Sequence, residues 1–168
     1  MAFKLYTSKT DQIRFISSLD NAVKVKTKKQ VADYQKYLDN LDDTLLTLSG
    51  KPLVFLLRPL TWGVYEIACR DARGMAIKDL YTDAPTAREL LRLSVESFEN
   101  WPKEWGDMED VFSFEYKRKV LSAAWIANVP TGICSEAAKV LLDTLPLPEA
   151  DAKEEDQTGP FPEKESRD

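Results

Sequence analysis

The candidates in this chain for proton transfer, metal binding or nucleophilic attack are two groups of carboxylates and two thiols. Asp42 and Asp43 are adjacent, and Asp107, Glu109 and Asp110 crowd a second stretch. Such groups perform acid-base or magnesium chemistry when they converge on one point. Their positions give a simpler account. The first pair closes a helical pattern and is read as solvated, while the second falls in a helical first turn, where negative charge complements exposed amides. Cys69 and Cys134 lie 65 residues apart, which fits neither a disulfide framework nor a metal knuckle. Neither has a neighbour that favours a thiolate, so both read as reduced, small core hydrophobes. The chain has no histidine, which removes the commonest general base and the commonest metal ligand together. Its six glycines are scattered and make no phosphate-cradling loop. The expectation is no catalytic residue, no metal site and no cofactor.

Binding residues stand out more clearly. Trp101 and Trp105 flank Pro102 and precede Gly106, with Met108 and Phe112 just after. Tryptophan and methionine are enriched where proteins grip one another, although a buried helix corner is the plainer reading of this stretch. Trp62 is a further bulky candidate. The densest basic cluster is Lys24, Lys26, Lys28 and Lys29, with Lys36, Tyr34 and Tyr37 following. It reads as a solvated lysine-rich loop, with phosphate gripping as the alternative.

Elements that would position these residues follow from size and pattern. With 168 residues and 43% apolar content the chain suits one compact domain, residues 1–145. From Pro146 to Asp168 lie eight of the 28 acids and three of the 23 bases, so this segment carries the whole net charge of -5. It holds four prolines and, after Leu147, one large apolar residue, Phe161, and is expected to be a disordered acidic tail. No stretch reaches the ~20 apolar residues of a membrane span, and the N-terminus lacks the apolar centre of a signal peptide.

Residues 1–26 alternate weakly and lean towards extended structure. Thr27 is expected to cap a helix with Val31, Tyr34, Leu38 and Leu41 on one stripe, running to about Asp43. Thr44 to Leu48 and Leu53 to Arg58, separated by Ser49-Gly50-Lys51-Pro52, suit a β-hairpin. Leu53, Phe55 and Leu57 belong to a run that is apolar on both faces, which fits a strand between two layers or one awaiting a partner. Thr61 is expected to cap a helix ending at Gly74. Pro85 is expected to open one carrying Leu90, Leu91, Val95, Phe98 and Trp101 up to Pro102. A further helix is expected from Asp107 through Val111, Phe112, Tyr116, Val120 and Ala123 to Ala127, closed by Pro130 and Gly132. Ser135 is expected to cap the last, with Ala138, Leu141, Leu142 and Leu145 apolar. The expected fold is α+β, with a small N-terminal antiparallel sheet or hairpin packed on a C-terminal helical bundle.

The phrase Leu53-Val54-Phe55-Leu56-Leu57-Arg58-Pro59-Leu60-Thr61 leads into a short helix, and the helical Arg88-Glu89-Leu90-Leu91-Arg92-Leu93-Ser94-Val95-Glu96-Ser97-Phe98-Glu99-Asn100-Trp101 follows. Over roughly residues 53–145 this order resembles the tail assembly chaperones and related small morphogenesis proteins of tailed bacteriophages. The resemblance implies a non-enzymatic assembly role in the host cytoplasm: covering apolar segments of tape-measure or tail tube protein during virion assembly. In that role Leu53, Phe55 and Leu57 would add a partner strand at a free edge, while Trp62, Trp101, Trp105 and Met108 would anchor a partner. A permanent virion component, such as a connector or tail-associated subunit, is the first alternative, and homo-oligomerisation fits either. A nucleic-acid-binding regulator using Lys24, Lys26, Lys28 and Lys29 is the second. No membrane partner is expected.

Overall fold

Thr27 closes a reciprocal cap. Its hydroxyl accepts from Gln30 N at 3.1 Å, the Gln30 side chain accepts from Thr27 N at 3.2 Å, and α1 (Lys28–Asn40) begins there. The computed structural model describes residues 12–72 and 84–146. The first eleven residues of the expected N-terminal extended stretch, Gly74, and the acidic tail beyond Pro146 therefore lie outside the described residues. The first helix stops before Asp43, because Leu41 enters the left-handed region (φ 54°) and returns its N–H to Tyr37 O. Tyr34, Tyr37 and Leu38 form its buried stripe, and Val31, expected there, is exposed.

The hairpin expected between Thr44 and Arg58 does not form. The Asp42 carboxylate accepts from Thr44 N at 3.0 Å and winds Asp43–Leu45 into a 3-10 turn, so only Leu48 bridges a neighbour, at Val23. Instead β2 (Val54–Leu57) pairs antiparallel with β1 (Ile13–Phe15) on one side and with β3 (Val95–Glu99) on the other. Ile13, Phe15, Phe55, Leu57, Val95 and Phe98 are buried, whereas Arg14 is exposed and pairs with Glu99 at 2.7 Å and with Asp43. Two tyrosines of α1 satisfy the backbone where β1 ends. Ile16 N donates to Tyr37 Oη at 2.9 Å, and Tyr34 Oη lies 3.0 Å from Ile16 O and 2.9 Å from the Glu136 carboxylate. Glu136 also accepts from Ser17 Oγ at 2.7 Å, which ties this corner to the last helix.

The helices pack behind this sheet. Thr61 caps α2 (Trp62–Asp71) by accepting from Val64 N at 3.3 Å, and α3 (Ala84–Ser94) carries Pro85 in its first turn. Residues Val95 to Trp101, expected to prolong α3, leave it: the chain passes directly into β3, and β2 supplies the backbone partners that a further helical turn would have supplied.

The helix expected from Asp107 to Ala127 is likewise absent. In its place are a 3-10 turn (Met108–Val111), a hairpin of β4 (Phe112–Glu115) and β5 (Arg118–Leu121), and the one-turn α4 (Ala123–Ile126). Pro130 and Gly132, expected to close a helix, open α5 (Thr131–Leu142), so Ser135 lies inside that helix and is not its cap. Helices α3 and α5 pack together, burying Leu90, Leu91, Ala137, Ala138 and Leu141. The fold is α+β, with an N-terminal antiparallel sheet and helices towards the C-terminus.

The β4–β5 turn breaks a local rule. Its two central residues, Tyr116 (φ 52°) and Lys117 (φ 58°), both occupy the left-handed region that this hairpin turn requires and that glycine and asparagine favour. Lys117→Gly is expected to stabilise the protein by about 0.5–1 kcal/mol, seen as a higher urea midpoint at unchanged slope. A lower midpoint would assign the Lys117 side chain a contact worth more than the relieved strain.

Candidate interaction surface

The chain turns out of β3 at Asn100, whose φ is 59° and whose amide donates to Pro52 O at 2.8 Å. This turn delivers Trp101 onto Phe98, at a centroid distance of 5.0 Å, and the indole N–H donates to Gly106 O at 3.0 Å. Gly106 has a φ of 83°, which any other residue adopts only with strain, so the loop closes over Trp101 because position 106 lacks a Cβ. Trp105 then stands edge-on to Trp101 at 5.2 Å and 86°, with 53% of its surface exposed.

The far side of the cluster comes from elements that were read as helix. Phe112 on β4 and Trp125 on α4 meet the Phe98 ring at 6.0 Å and 5.5 Å, and Trp101 and Trp125 lie 6.1 Å apart. On β4 alternate side chains share a face, so Phe114 projects on the same side as Phe112 and is 76% exposed. Lys119, paired across the hairpin with Phe114, sets its ammonium 4.1 Å from the Phe112 ring centroid and 2.9 Å from Glu109. Glu104, Asp107, Glu109 and Asp110 stand exposed beside Trp105 and Met108, against Lys103 and the paired Lys119. The result is an aromatic face with an acidic margin. It can receive apolar and cationic side chains, since ring faces attract both.

Other expected binding residues go elsewhere. Phe55 and Leu57 are buried and Leu53 half-buried, and β2 is the central strand, so the free edge expected at Leu53 to Leu57 is already occupied by β1 and β3. Trp62 is exposed at the start of α2, stacked edge-on with Tyr65 at 5.7 Å. Met108 is half-buried against the core. Lys24, Lys26, Lys28 and Lys29 are all exposed, at the entry and in the first turn of α1, without an acid in that turn.

No family model, no curated protein and no solved structure matches this chain.

The carboxylates and thiols hold structural positions. Asp42 and Asp107 cap 3-10 turns, Asp43 pairs with Arg14 and Glu109 with Lys119. Among the described residues no group of three or more carboxylates or thiols is placed to hold a metal ion. Cys134 is buried and burial pushes its thiol up, away from the reactive thiolate, while Cys69 is half-buried and unpaired with another cysteine. No helix among the described residues is long and apolar enough to cross a membrane.

The sequence reading missed Phe114, Trp125 and Lys119. The signal for the first was present: Phe112-Ser113-Phe114-Glu115-Tyr116 alternates with the period of a strand. The tip of this hairpin is held by Tyr116, whose hydroxyl donates to Asp71 at 2.8 Å, an interaction that raises the phenol above its ordinary value.

Proposed function

We propose that this protein is a non-enzymatic assembly factor that works by protein-protein contact through the face formed by Trp101, Trp105, Phe112 and Phe114. The observation that carries this reading is the exposure of Trp105 at the margin of one continuous aromatic cluster, with Phe114 exposed on the same face of β4 as the cluster's Phe112. Isolated exposed apolar residues are ordinary, but aromatic rings backed by a packed cluster form a rigid contact surface that needs little ordering on binding. Taken with the likeness of residues 53–145 to tail assembly chaperones, the role proposed is chaperoning of tape-measure or tail tube protein in the host cytoplasm during phage assembly. The acidic margin favours partner segments that carry lysine or arginine beside apolar residues.

The test is co-purification with candidate tail proteins, followed by titration of the complex. Trp105→Ala and Phe114→Ala are each expected to weaken binding by about 2–4 kcal/mol, roughly 30- to 800-fold, with unchanged far-ultraviolet circular dichroism. Undiminished affinity in both variants would remove this face from the function.

A further inference from the structure

Residues 103–110 hold four acids, Glu104, Asp107, Glu109 and Asp110, against one base, Lys103, and all five are exposed. Among the described residues only Glu109 of these acids is in an ion pair, and its cation comes from the hairpin. Lys119 lies opposite Phe114 in the β4–β5 ladder, so Phe112, Phe114 and Lys119 share one side of the hairpin. The ammonium reaches the diagonal neighbour. It sits 4.1 Å from the Phe112 ring centroid and 3.0 Å and 2.9 Å from the two carboxylate oxygens of Glu109. A ring face and a carboxylate that meet on one cation make a seat for an ammonium or guanidinium group.

The seat is open to water. The Lys119 and Glu109 side chains keep 35% and 63% of their surface, so the pair is of the exposed kind, weak and screened by salt. Beside it, the exposed Phe114 ring has no ring or cation partner among the described residues. Resting on the aromatic-face reading above, we infer that the Phe112 ring and the Glu109 carboxylate receive a lysine or arginine of the docked segment, a seat that Lys119 fills in the unbound protein. One cation leaves and another arrives, so the ring contact and the ion pair are conserved and the exchange costs little beyond ordering the incoming side chain. The apolar residues next to that cation then cover Phe114 and Trp105. The partner segment is apolar with a basic residue in it, and the acids at 104, 107 and 110 repel acidic competitors. Lys119 is thus an internal competitor that sets how strongly a basic segment must bind.

The probes are two short peptides capped at both ends, serine alternating with leucine around a central lysine, and a copy with norleucine at the centre. Binding to the full chain is followed by tryptophan fluorescence. The lysine peptide is expected to bind about fivefold tighter than the norleucine peptide. Lys119→Met is expected to tighten the lysine peptide about 3- to 10-fold and to move the norleucine peptide by less than about twofold. Lys103→Met removes the same charge from the same margin without emptying the seat, and is expected to change the lysine peptide by less than about twofold. Adding Glu109→Gln to Lys119→Met is expected to cancel the gain. Equal gains in Lys103→Met and Lys119→Met would overturn the seat, because net charge alone would then explain them. Equal binding of both peptides, lost in Trp105→Ala, would overturn the seat and leave the aromatic face standing. No binding of either peptide at millimolar concentration would overturn the seat also, with the face then judged by co-purification.

Discussion

Phe98→Ala is expected to destabilise the protein by about 3–5 kcal/mol, the range for deleting a large buried aromatic. Phe98 is 6% exposed and touches four other rings: Phe55 at 5.1 Å, Trp101 at 5.0 Å, Trp125 at 5.5 Å and Phe112 at 6.0 Å. These rings come from β2, the loop after β3, α4 and β4, so the void left by alanine is bordered by elements that cannot all close on it. Packing that loses one partner on every side forfeits dispersion energy as well as the transfer term. Phe98→Leu keeps most of the volume and is expected to lose only about 1–1.5 kcal/mol. Urea unfolding of both variants measures the difference. The alanine variant should also lose near-ultraviolet circular dichroism from Trp101 and Trp125, and with it binding to any partner of the aromatic face. A cost below about 1 kcal/mol would mean that the cluster collapses freely and is no platform.

Arg92→Leu should cost a comparable amount, about 3–5 kcal/mol, for an electrostatic reason. Arg92 is 5% exposed, yet burial of its charge is outweighed by hydrogen bonds and charge from Glu89 and Glu115, so it holds its proton more tightly than an ordinary arginine. Its Nε and Nη2 donate to Glu89 at 3.1 Å and 3.0 Å, Nη1 donates to Glu115, and Nη2 lies 3.8 Å from Asp71. One cation therefore joins α2, α3 and the β4–β5 hairpin. Leucine would leave three carboxylates facing one another around an apolar side chain, with Arg70, 3.9 Å from Asp71, as the cation left to compensate among the described residues. Arg92→Lys is expected to recover less than half of the loss, because an ammonium cannot hold Glu89 and Glu115 with one rigid fork. Combining Arg92→Leu with Glu89→Gln and Glu115→Gln should regain stability over Arg92→Leu alone. Thermal and urea unfolding provide the comparison. Wild-type stability in Arg92→Leu would show that the hairpin is held by Val120 and Leu121 alone.

These two residues mark the boundary of what the amino-acid order reveals. In sequence Arg92 has Glu89 as its acidic neighbour a helical turn earlier; Glu115, 23 residues away, turns that pair into a buried junction. Phe98 was read as part of a helical stripe. Val95, Phe98 and Trp101 are three apart, a spacing that a helix satisfies, and nothing local says that β2, some forty residues earlier, waits with an open edge. The same non-local pairing removed the edge expected at Leu53 to Leu57 and placed Phe55 and Leu57 in the core. Trp101 and Trp105 stood out as a pair around Pro102, but the plainer reading, a buried helix corner, gives way to a loop that leaves Trp105 exposed. Their rank as part of a larger face depended on Phe112, Phe114 and Trp125, which a helical reading scattered.

What the sequence determined by itself was whatever is written within a few residues: the caps at Thr27 and Thr61, the apolar strand before Arg58, the first turn opened at Pro85, and the α+β class. Capping and turn preferences act over one helical turn, so they survive in any context. Tertiary structure decided where α3 becomes β3, that residues 112–121 form a hairpin, and that the aromatic rings converge on one face. Where α3 becomes β3, backbone hydrogen bonds to the distant β2, and at residues 112–121 the ladder between β4 and β5 with the ring contacts of Phe112, outweigh a local helix propensity worth only a few tenths of a kcal/mol per residue.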